Sequence, residues 1–146
     1  MADRSRLQVV LKHRRILEEQ AQQRLAAALD RQTALLEELS RLRESCEALC
    51  SEAQARGSQG IAAHELLLYE EEIGRRRQRR GALEQDLQQA VEAVEEERQA
   101  LCRATQDRKL LEKLLEKAAA QERRLGERRE MAWIDELALR GSRREP

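Results

Sequence analysis

The stretch Ala53-Gln54-Ala55-Arg56-Gly57-Ser58-Gln59-Gly60-Ile61 decides how this chain folds, because Gly57-Ser58-Gln59-Gly60 is the one strong interruption in its middle. Gly57 has no Cβ and can take the left-handed backbone that ends a helix. Ser58 can accept backbone N–H bonds where the next helix begins. Before this stretch, residues from about 5 to 56 hold neither proline nor glycine. After it, residues from about 61 to 140 hold no proline, and only Gly74, Gly81 and Gly126 interrupt them. The single proline is Pro146. The expectation is a helix over about 5–56, a turn at 57–60 and a second helix over about 61–140, forming a single hairpin across 1–146.

Hydrophobic spacing on both sides of the turn supports this division. Alternate steps of four and three from Leu7 reach Leu11, Arg14, Glu18, Ala21, Leu25, Ala28, Gln32, Leu35, Leu39, Leu42, Cys46, Leu49 and Ala53, and eleven of these fourteen positions are apolar. The second helix repeats the pattern through Leu66, Tyr69, Ile73, Arg76, Arg80, Leu83, Leu87, Ala90, Val94, Glu97, Leu101, Ala104, Arg108, Leu111, Leu115, Ala118, Glu122 and Leu125, with thirteen of eighteen apolar, Tyr69 included. A repeat of 3.5 residues sustained this long predicts paired helices with left-handed supercoiling.

Composition excludes the competing classes. Ala, Glu, Lys, Leu and Arg fill 95 of the 146 positions, about 65%, above the roughly 50% that marks a long helix or coiled coil when the period fits. Tyr69 and Trp133 are the only aromatic residues, and aliphatic β-branched residues are few. A sheet needs such side chains on its pleated faces, and a compact enzyme needs aromatics and glycine-bearing loops for a pocket. The chain therefore reads as all-α: a long two-helix antiparallel coiled-coil hairpin with an extended C-terminal helix.

Twenty-eight basic and 28 acidic residues give no net charge, which disfavours nucleic acid as a partner, since neutralising phosphates requires a basic excess. Residues 101–146 carry 12 basic and 9 acidic groups, a mild lean toward an acidic partner surface. The three cysteines lack a CxxC pair, so neither a disulfide framework nor a zinc site is indicated. Cys46 and Cys50 read as small apolar seam residues. No apolar run is long enough to insert in a membrane. The run Arg75-Arg76-Arg77-Gln78-Arg79-Arg80 follows Glu71 and Glu72 in the favourable i,i+4 order, and it reads as a solvated, salt-laced face that Glu37 and Glu38 also flank. His13 and His64 stand apart from any carboxylate and nucleophile. No catalytic, metal or cofactor-binding residues are indicated.

A short connection makes the helices antiparallel. With the turn centred near residue 58 or 59, Leu7 is expected beside Lys109 or Leu110, and helix two should overhang the start of helix one by roughly 25–30 residues at about 1.5 Å each. This overhang carries Met131-Ala132-Trp133-Ile134-Asp135-Glu136-Leu137, where Trp133 and Leu137 lie four apart and Met131 and Ile134 three apart. Two readings stand for its broad apolar face. Either it binds a partner, as Trp and Met do in interface cores, or it folds as a local cap against the start of helix one near Leu7 and Val10.

Several stretches also resemble a known family. In Leu7–Ala21, the residues Leu7, Val10, Leu11, Arg14, Glu18 and Ala21 are similar to the opening of the flagellar export protein FliJ family. Gly60–Ile73, with Ala63, Glu65, Leu66 and Tyr69, resembles the start of its second helix. Asp107-Arg108-Lys109 with Leu111-Glu112-Lys113-Leu114, and Glu130 followed by Asp135-Glu136-Leu137-Ala138, resemble its C-terminal part. The resemblance implies a non-enzymatic, cofactor-free component of the flagellar type III export apparatus, similar to the central stalk of rotary ATPases. The implied partners are the hexameric export ATPase, the cytoplasmic part of the export-gate membrane protein, and export chaperones. The implied location is cytoplasmic, peripheral to the inner-membrane export apparatus.

Mapped onto this sequence, the ATPase-ring end would combine Leu7, Leu11, Arg14 and Glu18 with Leu125, Met131, Trp133, Ile134 and Leu137. The export gate would meet the hairpin body around Leu42, Leu49, Tyr69 and Ile73. The isolated chain is expected to be a monomer. The alternatives are the stalk protein of a virulence-type secretion system and a self-associating structural scaffold.

Overall fold

The computed structural model describes residues 2–144, which form two helices and no strand. Helix α1 spans Ala2–Gln59 and helix α2 spans Ala63–Arg144, packed against each other as a hairpin. Neither helix holds an internal proline, so nothing removes a ladder hydrogen bond along its length.

The turn sits three residues later than its glycines first indicate. Gly57 stays helical, and Gly60 alone takes the left-handed conformation, with φ of 83°. The Ser58 hydroxyl does not cap α2; it donates back to the Ala55 carbonyl at 2.8 Å, the local back-bonding that serine favours at helix ends. That bond keeps residues 57–59 in the last turn of α1, and the Gly60 N–H closes the helix on the Gly57 carbonyl at 3.3 Å. Helix α2 opens on Ala62, whose carbonyl accepts the Glu65 and Leu66 N–H groups at 3.1 and 3.3 Å.

The chain divides into two compact units. The turn unit, Ala21–Leu101, holds most of the core: Ala21, Leu39, Cys46, Leu83, Ala90 and Val94 are buried. Arg24 pairs with Glu97 at 3.2 Å, Arg79 with Glu38 at 3.0 Å and Arg43 with Glu84 at 3.5 Å. Arg76 reaches from its seam position to the Ser45 carbonyl at 3.1 Å and to the Ser45 hydroxyl. The residue numbers in these pairs add to about 121, so the pairing centres on Gly60 and Ile61, not on residues 58 and 59. Even so, Glu38 meets Arg79 as expected. Most of the arginine run is laced by acids: Arg75 to Glu71 and Glu72, Arg76 to Glu72, and Arg80 to Glu84.

The open-end unit joins the described residues up to Gln20 with those from Cys102 onward. Its seam is more polar, and among the described residues Leu11, 8% exposed, is its one buried apolar residue. Arg14 pairs with Asp107 at 3.4 Å and Arg4 with Glu122 at 3.1 Å. Arg108 binds both Glu18 and Glu112, while Arg15 lies 3.6 Å from Glu112. This register sets Leu7 level with residues near 119, several residues beyond the expected Lys109 or Leu110.

All fourteen seam positions of α1 are buried or half-buried, and so are those of α2 except Leu66 and Leu125 near its two ends. The 3.5-residue repeat thus identifies the faces that meet, polar members included.

Candidate partner-binding surface

Among the described residues Arg4–Glu122 is the ion pair between α1 and α2 furthest from the turn, and past it α2 continues as uninterrupted helix to Arg144. Every described side chain from Arg123 to Arg143 is exposed. This free segment is shorter than expected, 21 residues in place of 25–30, because the turn is centred later and α1 begins at Ala2. It does not fold back as a local cap, since α2 keeps its helical course. Leu125, Met131, Trp133, Ile134, Leu137 and Leu139 are exposed on it, with Trp133 at 57%.

The other residues expected at this end behave differently. Leu7 is half-buried and Leu11 buried in the seam. Arg14 is held by Asp107, and Glu18 by Arg108. The structure therefore separates the expected set into seam-engaged residues on α1 and free apolar residues on α2. Glu18, Arg108, Glu112 and Arg15 form one charge network in which each arginine serves a carboxylate. Hydrogen bonds to Glu18 and then to Glu112 raise the Arg108 guanidinium above its ordinary value. Arg108, followed by Arg15, holds the Glu112 carboxyl below the usual carboxylate range.

Near the turn, Leu42, Leu49, Tyr69 and Ile73 are half-buried, all on the seam. Tyr69 is fixed twice: its hydroxyl donates to Glu52 at 3.0 Å and accepts from Arg56 at 3.0 Å. The Arg56 guanidinium also stands 5.9 Å from the Tyr69 ring centroid, within cation–π range. An open groove here is lined by Leu49, Arg56, Glu65, Leu68, Tyr69 and Glu72. The most exposed apolar residues at this end, Leu67 and Leu68, escaped sequence reasoning because the seam repeat passes through Leu66 instead. Their run of three leucines was the available signal.

Cys46 is buried and Cys50 half-buried on the seam, and His13 and His64 are exposed. Among the described residues no group of His, Cys, Asp or Glu could hold a metal ion, and no helix is long and apolar enough to cross a membrane.

A packed helical seam, balanced charges and exposed apolar side chains on the last part of α2 define a coiled-coil hairpin protein. The family model described as the flagellar FliJ protein matches residues 3–146, nearly the whole chain, and the chain belongs to that family. Membership makes it a non-catalytic structural component of the flagellar export apparatus. No curated protein and no solved structure matches the chain.

Proposed function

We propose that this protein acts as a stalk-like component that binds and stimulates the hexameric export ATPase, and that it links the ring to the export gate and to export chaperones. The observation that carries this reading is the free end of α2, where Met131, Trp133, Ile134 and Leu137 are exposed on a helix that α1 no longer accompanies. Large apolar side chains in water are unfavourable, by about 25 cal/mol per Å² left uncovered, and an exposed Trp beside Met, Ile and Leu has the composition of an interface core. The family match favours the flagellar apparatus over its virulence-type counterpart.

In this reading the pairing with α1 supports the free segment of α2. Leu7, Leu11, Arg14 and Glu18 hold α2 in register so that Trp133 and its neighbours are presented together. The gate contact is assigned to the turn unit, around Leu42, Leu49, Tyr69 and Ile73, with the site of action on the cytoplasmic face of the inner membrane.

Binding of the flagellar export ATPase by the wild-type chain and by the W133A/L137A double variant tests the assignment. The double variant is expected to lose at least about tenfold in affinity, since two interface anchors of this kind each contribute more than about 1 kcal/mol, while helicity is retained. Equal affinity would move the contact off the free end.

A further inference from the structure

Ion pairing sorts the charges of α2 in the open-end unit. Asp107 pairs with Arg14 and Glu122 with Arg4, both on α1, while Glu112 pairs with Arg15 of α1 and with Arg108. Arg103, Lys109, Lys113, Lys117 and Arg124 are exposed, and among the described residues none of these five is in an ion pair. At about 100° per residue they fall within an arc of about 120°, roughly opposite the seam residues Leu111, Leu115 and Ala118. They extend over about 32 Å of helix. Of the acids between Arg103 and Arg124, Glu116 comes nearest the arc, at its edge.

The zero net charge of the chain conceals this stripe. Met1–Gln20 with Cys102–Pro146 carries 17 basic and 12 acidic residues, whereas Ala21–Leu101 carries 11 and 16. The open-end unit is therefore positive and the turn unit negative by the same amount.

The choice of residue says what the stripe meets. The chain holds 24 arginines and only four lysines, and three of those are Lys109, Lys113 and Lys117, each about one helical turn from the next. Every ion pair among the described residues uses arginine. Arginine's planar fork suits a carboxylate held in place, whereas lysine is a flexible, hydrated point charge and suits a diffuse negative field. Leu110 and Leu114, 60% and 43% exposed, are helical neighbours of Lys113 and Lys117. Lysines beside exposed leucines on one helical face match a helix that lies on a membrane surface. Nucleic acid fits poorly, since the stripe has no aromatic ring on which a base could stack.

We propose that the outer face of α2 from Arg103 to Arg124 binds the surface of a bilayer rich in anionic lipid, with the lysines at the headgroups and Leu110 and Leu114 at the boundary with the acyl chains. The attraction is electrostatic, so salt releases it. It stands apart from the ATPase reading, because it uses neither Trp133 nor Leu137.

Flotation of the full-length protein tests this with vesicles of phosphatidylglycerol and phosphatidylcholine, about one to two, against vesicles of phosphatidylcholine alone. The protein should bind the anionic vesicles at about 0.1 M salt and leave them at about 1 M, as the Debye length falls from roughly 10 Å to roughly 3 Å. K109Q/K113Q/K117Q should bind at least about tenfold more weakly. R31Q/R41Q/R77Q removes the same charge from exposed arginines of the turn unit and should stay within about twofold of wild type. Circular dichroism confirms that the variants keep their helicity. Equal binding to neutral vesicles, full binding by the lysine variant, or an equal loss in the arginine variant overturns the proposal. So does capture of soluble polyglutamate without binding to vesicles, which would assign the stripe to an acidic polypeptide. W133A/L137A should bind vesicles as wild type does, so failure here is distinguishable from failure of the ATPase assignment.

Discussion

Gly60 and Gly74 place opposite demands on the same residue type. Gly60 holds φ of 83° at the end of α1, a conformation that strains any residue with a Cβ by roughly 1–2 kcal/mol. Gly74 lies within α2, and a Cβ added there meets nothing within 4 Å. Gly60→Ala should therefore destabilise the hairpin by about 1 kcal/mol, and Gly74→Ala should stabilise it by about 0.5–1 kcal/mol through helix propensity. Urea unfolding followed by circular dichroism checks both signs; shifts in the same direction would refute the assignment of the turn. Glu112 supplies a second test at this scale. Its carboxyl is held below the ordinary value of 4.5, chiefly by Arg108, so its contribution is present above that value and is lost as the pH falls through the lowered one. Thermal melts from neutral pH down should show falling stability in that window, and Glu112→Gln should flatten this dependence. An unchanged acid limb would mean that the network around Arg108 contributes nothing measurable.

Each helix has one face to cover, and the two ends of α2 treat leucine differently. Leu83 is 2% exposed in the turn unit, whereas Leu137 is 47% exposed on the free segment. Leu83→Ala should lower stability by about 2–3 kcal/mol, the lower part of the range for core leucines. Leu137→Ala should stay within about 0.5 kcal/mol of wild type. Comparable losses in the two variants would show that the free segment is packed. Much of this was legible in the sequence, because a stripe repeating every 3.5 residues marks a covered face whatever occupies single positions. Arg14, Glu18, Arg76 and Arg108 were found on the seam for that reason alone. The turn was harder, since Gly57 and Gly60 can each end a helix, and the choice fell to the Ser58 hydroxyl bonding back to Ala55. From that offset came the errors in register and in the length of the free segment. The exposure of Leu67 and Leu68 was hidden because a run of three leucines does not reveal which of them faces the seam.

At the scale of the whole molecule, balanced charge and a closed seam leave few ways to act on another molecule. The zero net charge removes the long-range attraction on which nucleic-acid binding depends. Exposed apolar side chains, on the last part of α2 and at Leu67 and Leu68, are left to meet partners, consistent with a non-catalytic component of the flagellar export apparatus. Turnover of the hexameric flagellar export ATPase, measured alone, with the full chain, and with a chain ending after Glu122, tests the proposed role most directly. The full chain should raise ATP hydrolysis, and the shortened chain, whose hairpin pairs up to Arg4–Glu122 are all retained, should not. Equal stimulation by both chains, or by neither, would contradict it.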